Sequence, residues 1–385
     1  MSGGVDSSVT AALLAHRSDY DLSAVFMRNW DSTDDSTSES HCTWEKDWAD
    51  VQRVCAKLGM PARMVDLSKE YWTRVFEPAV RMWERGQTPN PDVWCNREVK
   101  FGALMDRLAL GEEGTEGWLA TGHYARKDYH AAADGSLSSR LMRHPSIKDQ
   151  TYYLASIPLP ALARTIFPLG NPPHLPGITS GAALSKDDVR SLAQKWDLHT
   201  AGREESMGLC FVGERKRFGD FVSQYIPPSS GPIISLPTGA QLGTHNGVWN
   251  FTVGQGARVP GCNERLFVVR KTFEDGVGTV WVAPGDHPAQ LTSSLTTDGF
   301  SWIWPTPPPG LTEGDGVKVR VRVRHRGEDY LATIKLASNE PHSPLHITFA
   351  TPQKAIAPGQ IAVVYDADGE WCMGCGVIEG TECLG

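Results

Sequence analysis

Two cysteines of this 385-residue chain stand in surroundings that suit a reactive thiol. Cys95 ends the stretch TPNPDVWC, in which two prolines fix an extended turn, Asp92 lies three residues before the thiol and Arg97 two residues after it. A helix is expected directly after Cys95, so the helix end and Arg97 would stabilise the thiolate. Cys210 lies in GLCFVGERKRF, behind a glycine-containing segment and ahead of a basic cluster. Lys148, Asp149 and Gln150 form a third polar group, ahead of the aromatic run TYYLA. Taken singly, each stretch also fits a solvated patch or a structural cysteine, which is the better reading of Cys55 inside its helix.

A candidate anion cradle opens the chain as MSGGVDSSV. Gly3 and Gly4 can take backbone angles closed to other residues and let main-chain N–H groups approach a ligand closely. Val9, Ala11, Ala12, Leu13, Leu14 and Ala15 read as a helix, which sets the loop at a helix N-terminus, where unpaired N–H groups and the macrodipole favour phosphate. Ser2, Ser7 and Ser8 add hydroxyls, and Asp6 is a candidate to orient the loop or to help hold a magnesium ion. The G-x-x-x-x-G-K-[ST] pattern of other phosphate loops, with its lysine, is absent. An ordinary glycine turn ahead of a helix competes as a reading of these residues alone.

The elements that must position these groups follow an α/β pattern over the first 200 residues. LSAVFMRNW reads as a buried strand, WEKDWADVQRVCAKLG as an amphipathic helix closed by Gly59, and ARMVDLS as the next strand. Helices are expected over 69–86, with a kink at Pro78, and over 97–110, and GWLATGHYA runs a strand into a loop. In a doubly wound sheet ligands sit at the carboxyl ends of strands, so the loops after Trp30, Ser68 and Thr121 should gather beside the glycine loop. Such a loop ordinarily follows a strand and none precedes Ser2, which leads us to expect a start further upstream and a domain weakened by the loss of its central strand. Past about residue 230 glycine and proline become frequent, and short alternating runs such as LFVVRKT, GTVWVAPG, LHITFA and QIAVVYD point to small β-barrels. In KVRVRVRHR, period-2 alternation sets Val317, Val319, Val321 and Val323 on one face and Lys318, Arg320, Arg322, Arg324 and Arg326 on the other, a basic stripe suited to phosphates or an exposed face kept soluble by charge.

Composition narrows the classes. With 21% charged and 40% hydrophobic residues the chain reads as globular, and no apolar run approaches the roughly 20 residues that span a bilayer, so no membrane partner is expected. Eight scattered cysteines argue against a disulfide scaffold and for a reducing compartment. Cys372 and Cys375 form a C-x-x-C in a strand and turn, without the second pair that a zinc site needs. The net charge of −8 opposes nucleic-acid binding unless basic residues cluster locally.

SGGVDSS, VFMRNW, TPNPDVWCN, ATGHYAR, KDQTYYL, GLCFVGERKRF, TVGQ and APGQIAVVY occur in this order, and with them the chain resembles the tRNA-specific 2-thiouridylases of the PP-loop ATP pyrophosphatase superfamily, from Met1 to about Glu379. SGGxDS alone indicates the superfamily; PNPDxxCN with a second cysteine in CFxG narrows it. The resemblance implies an α/β PP-loop (adenine nucleotide alpha hydrolase-like) parallel-sheet domain over 1–205, a small central domain over 206–287 with the second cysteine at its start, and a tRNA-contacting C-terminal β-barrel over 288–385. It implies ATP-dependent 2-thiolation of the wobble uridine in tRNA anticodons. Ser2, Gly3, Gly4, Val5, Asp6, Ser7 and Ser8 would hold the phosphates, Met27 and Gly122 would line the nucleotide pocket, and Mg2+ would offset the charge of departing pyrophosphate.

By the same resemblance Cys210 carries sulfur as a persulfide received from a sulfur-relay donor protein. Cys95 attacks the persulfide or the adduct, leaving a Cys95–Cys210 disulfide, and Asp92 is the general acid or base. Approach of the two thiols requires a mobile loop, for which the Gly208 segment is the candidate. Asn90, Pro91 and Asp92 would meet the splayed base, with His123, Lys148, Asp149 and Gln150 beside it, and Arg324, His325 and Gln360 would contact the rest of the anticodon stem-loop. The family often has tyrosine at position 325 and a basic residue directly after Gln255, where this chain has His325 and Gly256. The wording of ESMGLCFVG and VFMRNWDS is closer to the mitochondrial members, which leads us to expect a mitochondrial location. Another PP-loop tRNA sulfurtransferase or synthetase, lacking the Asp92, Cys95 and Cys210 set, and a catalytically silent tRNA-binding homologue are the alternatives.

Overall fold

The computed structural model describes residues 1–17, 19–30, 43–109, 117–131, 137–175, 182–204, 218–304, 310–311, 315–338, 340 and 342–384. Cys210 and the Gly208 segment lie outside them. The chain divides into two compact units, the first comprising 1–75, 92–214 and 370–372, the second 76–91, 215–369 and 373–385.

In the first unit, helix α1 (Val5–Ala15) is buried on nearly every side, with Val9, Ala12 and Leu13 against Val189, Ala193 and Leu198. The helix Lys186–Lys195 that covers it starts at a reciprocal cap, in which Ser185 accepts from the N–H of Asp188 and Asp188 accepts from that of Ser185. Strands β1 (Ala24–Arg28) and β2 (Ala62–Asp66) pair in parallel, as the two apolar runs require. Helix α2 (Thr43–Leu58) lays Val51 and Cys55 on them, so Cys55 is a core residue, and Gly59 takes the left-handed angle that ends the helix. A second parallel pair joins β3 (Leu119–Ala120) to Thr165–Ile166. Among the described residues no strand lies between the two pairs. A hairpin, β4 (Ala125–Ala131) with β5 (Leu137–Arg143), completes the unit, and Trp371 and Cys372 pair with Met142 and Leu141 of β5.

The helical run from Ser68 to Glu84 contains wide π-helical turns over Trp72–Phe76, directly ahead of Pro78, where the missing N–H of proline unsettles the preceding ladder. The run expected from 97 starts instead at Pro91, whose fixed φ suits the first helical position, and continues through π-helical turns over Cys95–Ala103 to Arg107.

The second unit is β-rich. A five-stranded sheet holds, in spatial order, Gln241–His245, Gly231–Ser235, Val277–Pro284, Leu266–Glu274 and Gly256–Ala257. A closed six-stranded barrel follows, in the order Leu291–Thr297, Leu345–Lys354, Tyr330–Leu336, Val317–Arg322, Ile361–Tyr365 and the later part of Trp371–Cys383, which pairs back to Leu291–Thr297. Val319, Val321 and Val323 face its core, as alternation predicts. The basic stripe does not run its expected length. The strand ends at Arg322, Arg324 to Arg326 fall in the following turn, and Arg322 is spent on Asp329 at 2.8 Å, because period 2 carries a stripe only while the ladder lasts. Cys372 and Cys375 belong to one strand with no turn between them, and among the described residues no cluster of three or more His, Cys, Asp or Glu could hold a metal. No helix of the described residues is long and apolar enough to cross a membrane.

Candidate active site

The opening loop is held in a tight frame. Gly4 caps α1, and its carbonyl accepts from the Ser7 and Ser8 hydroxyls at 3.0 and 2.9 Å and from the Ser8 N–H. Gly3 has φ +78°, and a Cβ there would lie 2.7 Å from the Asp47 carbonyl oxygen, so only glycine fits. Arg203 donates to the Gly3 carbonyl at 2.9 Å and forms ion pairs with Asp47 and Asp50 of α2. Burial raises the Asp47 pKa, and Arg203 opposes that rise. The first N–H groups of α1, from Val5 to Ser7, have no acceptor within the helix and open toward an anion. These features fit the phosphates of a nucleotide. They do not fit Asp6 as a magnesium ligand, because both its carboxylate oxygens accept from Lys186, at 2.7 and 2.9 Å, and one also accepts from the Tyr124 hydroxyl at 2.8 Å.

Residues 121–124, where β3 ends, gather the other motifs. Gly122 lies flat on α1, and a Cβ there would sit 2.9 Å from Asp6 C and Ser7 N. His123 meets the Cys95-bearing helix, its Nε2 lying 3.4 Å from Lys100 Nζ and its Nδ1 2.9 Å from Thr121 Oγ1. Burial, with the Lys100 charge beside it, holds His123 well below the usual imidazole range. The neutral ring therefore donates from Nδ1 to Thr121 and accepts at Nε2 from the ammonium. Tyr124 exchanges two hydrogen bonds with Gln150, N–H to Oε1 and carbonyl from N–H, both at 2.9 Å, which brings the Lys148 to Gln150 turn to the same strand end. Asp149 is buried and shapes that turn by accepting from His144 N–H at 3.0 Å and Thr151 Oγ1 at 2.8 Å; burial raises its pKa. Lys148 N–H donates to Ser146 Oγ within the same turn.

Asp92, Asn96 and Lys100 recur every four residues along one helix. Asn96 Nδ2 donates to the Asp92 carbonyl at 3.1 Å, and Lys100 Nζ donates to Asn96 Oδ1 at 2.9 Å. Burial pushes the Asp92 carboxyl up to about 6, against the pull of Lys100. Cys95 is inside this helix, not ahead of it as its sequence suggests: Pro91 starts the helix four residues earlier, so the helix end cannot be credited with activating the thiol. Arg97 pairs with Glu98 at 3.1 Å. Cys95 is buried, and one group that meets it is Asn29, just past the end of β1, whose Nδ2 lies 3.8 Å from Sγ. Met27 itself is half-buried in register with Val65.

Asn90 and Pro91 belong to the second unit. There the Thr88 N–H donates to the Pro358 carbonyl at 2.9 Å, and Gln360 Nε2 donates to the Thr88 carbonyl at 2.7 Å. Gly359, at φ +92°, lets the two turns touch, since a Cβ would lie 2.6 Å from Thr88 N. Lys271 donates to Phe251 O at 2.6 Å and reaches Thr88 Oγ1 at 3.4 Å, and burial lowers its pKa to about 7. Arg324 is exposed and His325 half-buried in the turn after the basic strand.

Sequence reasoning passed over Asn29, Asn96, Lys100, Tyr124, Lys186 and Arg203. The spacing of Asp92, Asn96 and Lys100 carried a legible helical signal. Lys186 and Arg203 carried none, being brought to the loop from 180 and 200 residues away.

A glycine-capped helix N-terminus beside parallel strands, with converging motifs at the strand end, defines a nucleotide-binding α/β domain of the PP-loop kind. Family models match in three pieces: the tRNA methyl transferase HUP domain over 1–214, the tRNA methyl transferase PRC-barrel domain over 219–284 and the aminomethyltransferase beta-barrel domain over 292–378. The chain is similar to the tRNA-specific 2-thiouridylase MnmA of Alkaliphilus oremlandii, 39% identical over 98% of this chain and 95% of that protein. It is also similar to those of Psychrobacter sp. strain PRwf-1 (38%, covering 99% and 92%) and Bacillus velezensis (38%, covering 98% and 93%). The chain belongs to the tRNA-specific 2-thiouridylase family. These relatives are bacterial and lend the mitochondrial expectation no support.

Proposed function

We propose that this chain is a tRNA-uridine 2-sulfurtransferase, using ATP to replace the C2 oxygen of the wobble uridine by sulfur. The observation that carries the reading is the strand end 121–124, where Gly122 touches the opening loop and His123 touches the helix of Asp92 and Cys95. An activating nucleotide site and a thiol site share one wall there.

Uracil C2 is a poor electrophile until its oxygen becomes a leaving group. Uracil O2 attacks the α-phosphorus of ATP, the bond from that phosphorus to its bridging oxygen breaks, and pyrophosphate leaves with the electron pair while N3 gives up its proton. Ser2 to Ser8 hold the phosphates, Met27 and Gly122 line the nucleotide pocket, and magnesium enters on the ATP. Asp92, poised near neutrality, takes the N3 proton. The terminal sulfur of a Cys210 persulfide, charged by a sulfur-relay protein, bonds to C2 and AMP leaves. The Cys95 thiolate attacks the Cys210 sulfur, the bond from that sulfur to the base-bound one breaks, and N3 regains its proton. The products are 2-thiouridine and a Cys95–Cys210 disulfide, which a thiol reductant reopens.

The base must leave its stack to enter such a site. By the family resemblance Asn90, Pro91, His123 and Lys148 to Gln150 are the residues that meet it, and Arg324, His325 and Gln360 those that contact the remaining anticodon stem-loop. We assign residues 1–205, 206–287 and 288–385 to catalytic, central and tRNA-holding domains. The family models are described in terms of methyl transfer, yet a buried Cys95 on the helix that His123 meets, beside Gly122 on the opening loop, suits sulfur chemistry. The test is thiolation of an unmodified tRNA transcript with ATP and a persulfide-charged sulfur-relay protein, with no free sulfide, read by retarded migration in a mercury-containing gel. The native chain should retard the tRNA, and Cys95→Ser and Cys210→Ser should not. Retardation by either variant overturns that cysteine's role, and none by the native chain overturns the reading.

A further inference from the structure

Lys100 is half-buried; its charge is felt by Asp92, but among the described residues no carboxylate lies within ion-pair distance of its ammonium. The groups that grip it, Asn96 Oδ1 at 2.9 Å and His123 Nε2 at 3.4 Å, are both uncharged. An ammonium carries three N–H donors, so among the described residues one remains after these two are made. Withdrawing a cation from water without an anion beside it costs free energy that an incoming anion restores. Lys186, another lysine of this region, is consumed by Asp6, and the opening loop lacks the lysine that other phosphate loops carry.

Position says which anion. His123 holds the ammonium next to Gly122, which lies on the N-terminal turn of α1, and Asp92 is two helical turns away on the same helix face. Resting on the thiolation reading, we propose that Lys100 is a catalytic residue of the adenylation step, its free N–H meeting the non-bridging oxygens of the α-phosphate as uracil O2 bonds to that phosphorus. While that bond forms and the bond to the pyrophosphate oxygen breaks, negative charge on those oxygens is met by a cation already oriented by Asn96 and His123.

The experiment follows tRNA-dependent release of labelled pyrophosphate from ATP in a single turnover, for the full chain and for Lys100→Met and Lys100→Arg. Loss of one preorganised donor to a developing oxyanion slows the step about 100-fold or more, so Lys100→Met should lose at least that, with its tRNA affinity within about twofold of native. Lys100→Arg, which keeps the charge, should regain about tenfold of the loss. Lys100→Gln keeps a donor for Asn96 or His123 without charge; it stands in if the methionine variant fails to fold, and should be as slow. Release by the uncharged variant within about threefold of native overturns the proposal, as does an arginine variant no faster than the uncharged one. A native chain that releases no pyrophosphate with tRNA overturns the thiolation reading itself, whereas native release matched by Lys100→Met overturns the role of Lys100 alone.

Discussion

Lys186 donates to both carboxylate oxygens of Asp6, at 2.7 and 2.9 Å, from the first turn of a helix 180 residues further along the chain. Asp6 stands in the first turn of α1, whose open N–H groups form the proposed phosphate cradle. A bare carboxylate there would repel the nucleotide, and the ion pair with its Tyr124 hydrogen bond removes that repulsion while fixing the loop. Lys186→Met should therefore raise the KM for ATP about tenfold, the order expected for an ion pair on the rim of an anion site, and leave tRNA affinity unchanged. Titration of ATP at saturating tRNA measures it, and an unmoved KM would show the pair to be scaffold only.

The elements around this site were legible where the local pattern was strong. The opening loop at a helix N-terminus, the parallel strands at Ala24–Arg28 and Ala62–Asp66 and the inward valines of the basic strand follow from periodicity and glycine placement. What escaped depends on contacts across the chain. No local rule places Lys186 on Asp6 or Arg203 on Gly3, and none reveals that Arg322 is spent on Asp329. The helix around Cys95 starts six residues earlier than expected because a proline pair signals both an extended turn and a helix start, and here Pro91 does the second.

Gly122 makes a sharper prediction, because it leaves no room. A methyl group at this position would meet the Asp6 and Ser7 backbone at 2.9 Å, atoms that belong to α1 and cannot turn aside like a flexible side chain. Gly122→Ala should push the strand end off the loop, costing about 1 to 3 kcal/mol as overpacking does, and should weaken ATP binding by a comparable factor. Thermal unfolding with and without ATP separates the two effects: the variant should melt lower and gain less from the nucleotide than the native chain.

In the proposed mechanism Asp92 sets the acid limb of the reaction. Burial raises its carboxyl to about 6, so the base form needed to take the N3 proton predominates above that pH and is lost as pH falls through it. Single-turnover thiolation should fall tenfold per pH unit below about 6, and Asp92→Asn should be slow and lose this limb. The sign for stability is opposite. The folded chain holds the proton more tightly than the unfolded one, so stability falls as pH rises from about 4 to about 6, a slope that Asp92→Asn should reduce.

Gln360 separates holding tRNA from holding the catalytic loop. Its Nε2 donates to the Thr88 carbonyl at 2.7 Å, two residues before Asn90, and the left-handed Gly359 allows that approach. Truncating the side chain leaves the carbonyl of Thr88 without this donor, a loss of about 1 kcal/mol, and loosens the segment that leads into Asp92. If positioning is its work, Gln360→Ala should lower the single-turnover rate about tenfold and leave the tRNA dissociation constant within about twofold, because a loosened group harms the transition state more than binding. A residue that only touched tRNA would do the reverse, raising the dissociation constant and sparing the rate at saturation. Filter binding and single-turnover thiolation on the same variant decide between them, and a rise in the dissociation constant at constant rate would leave Gln360 only the tRNA contact already proposed for it.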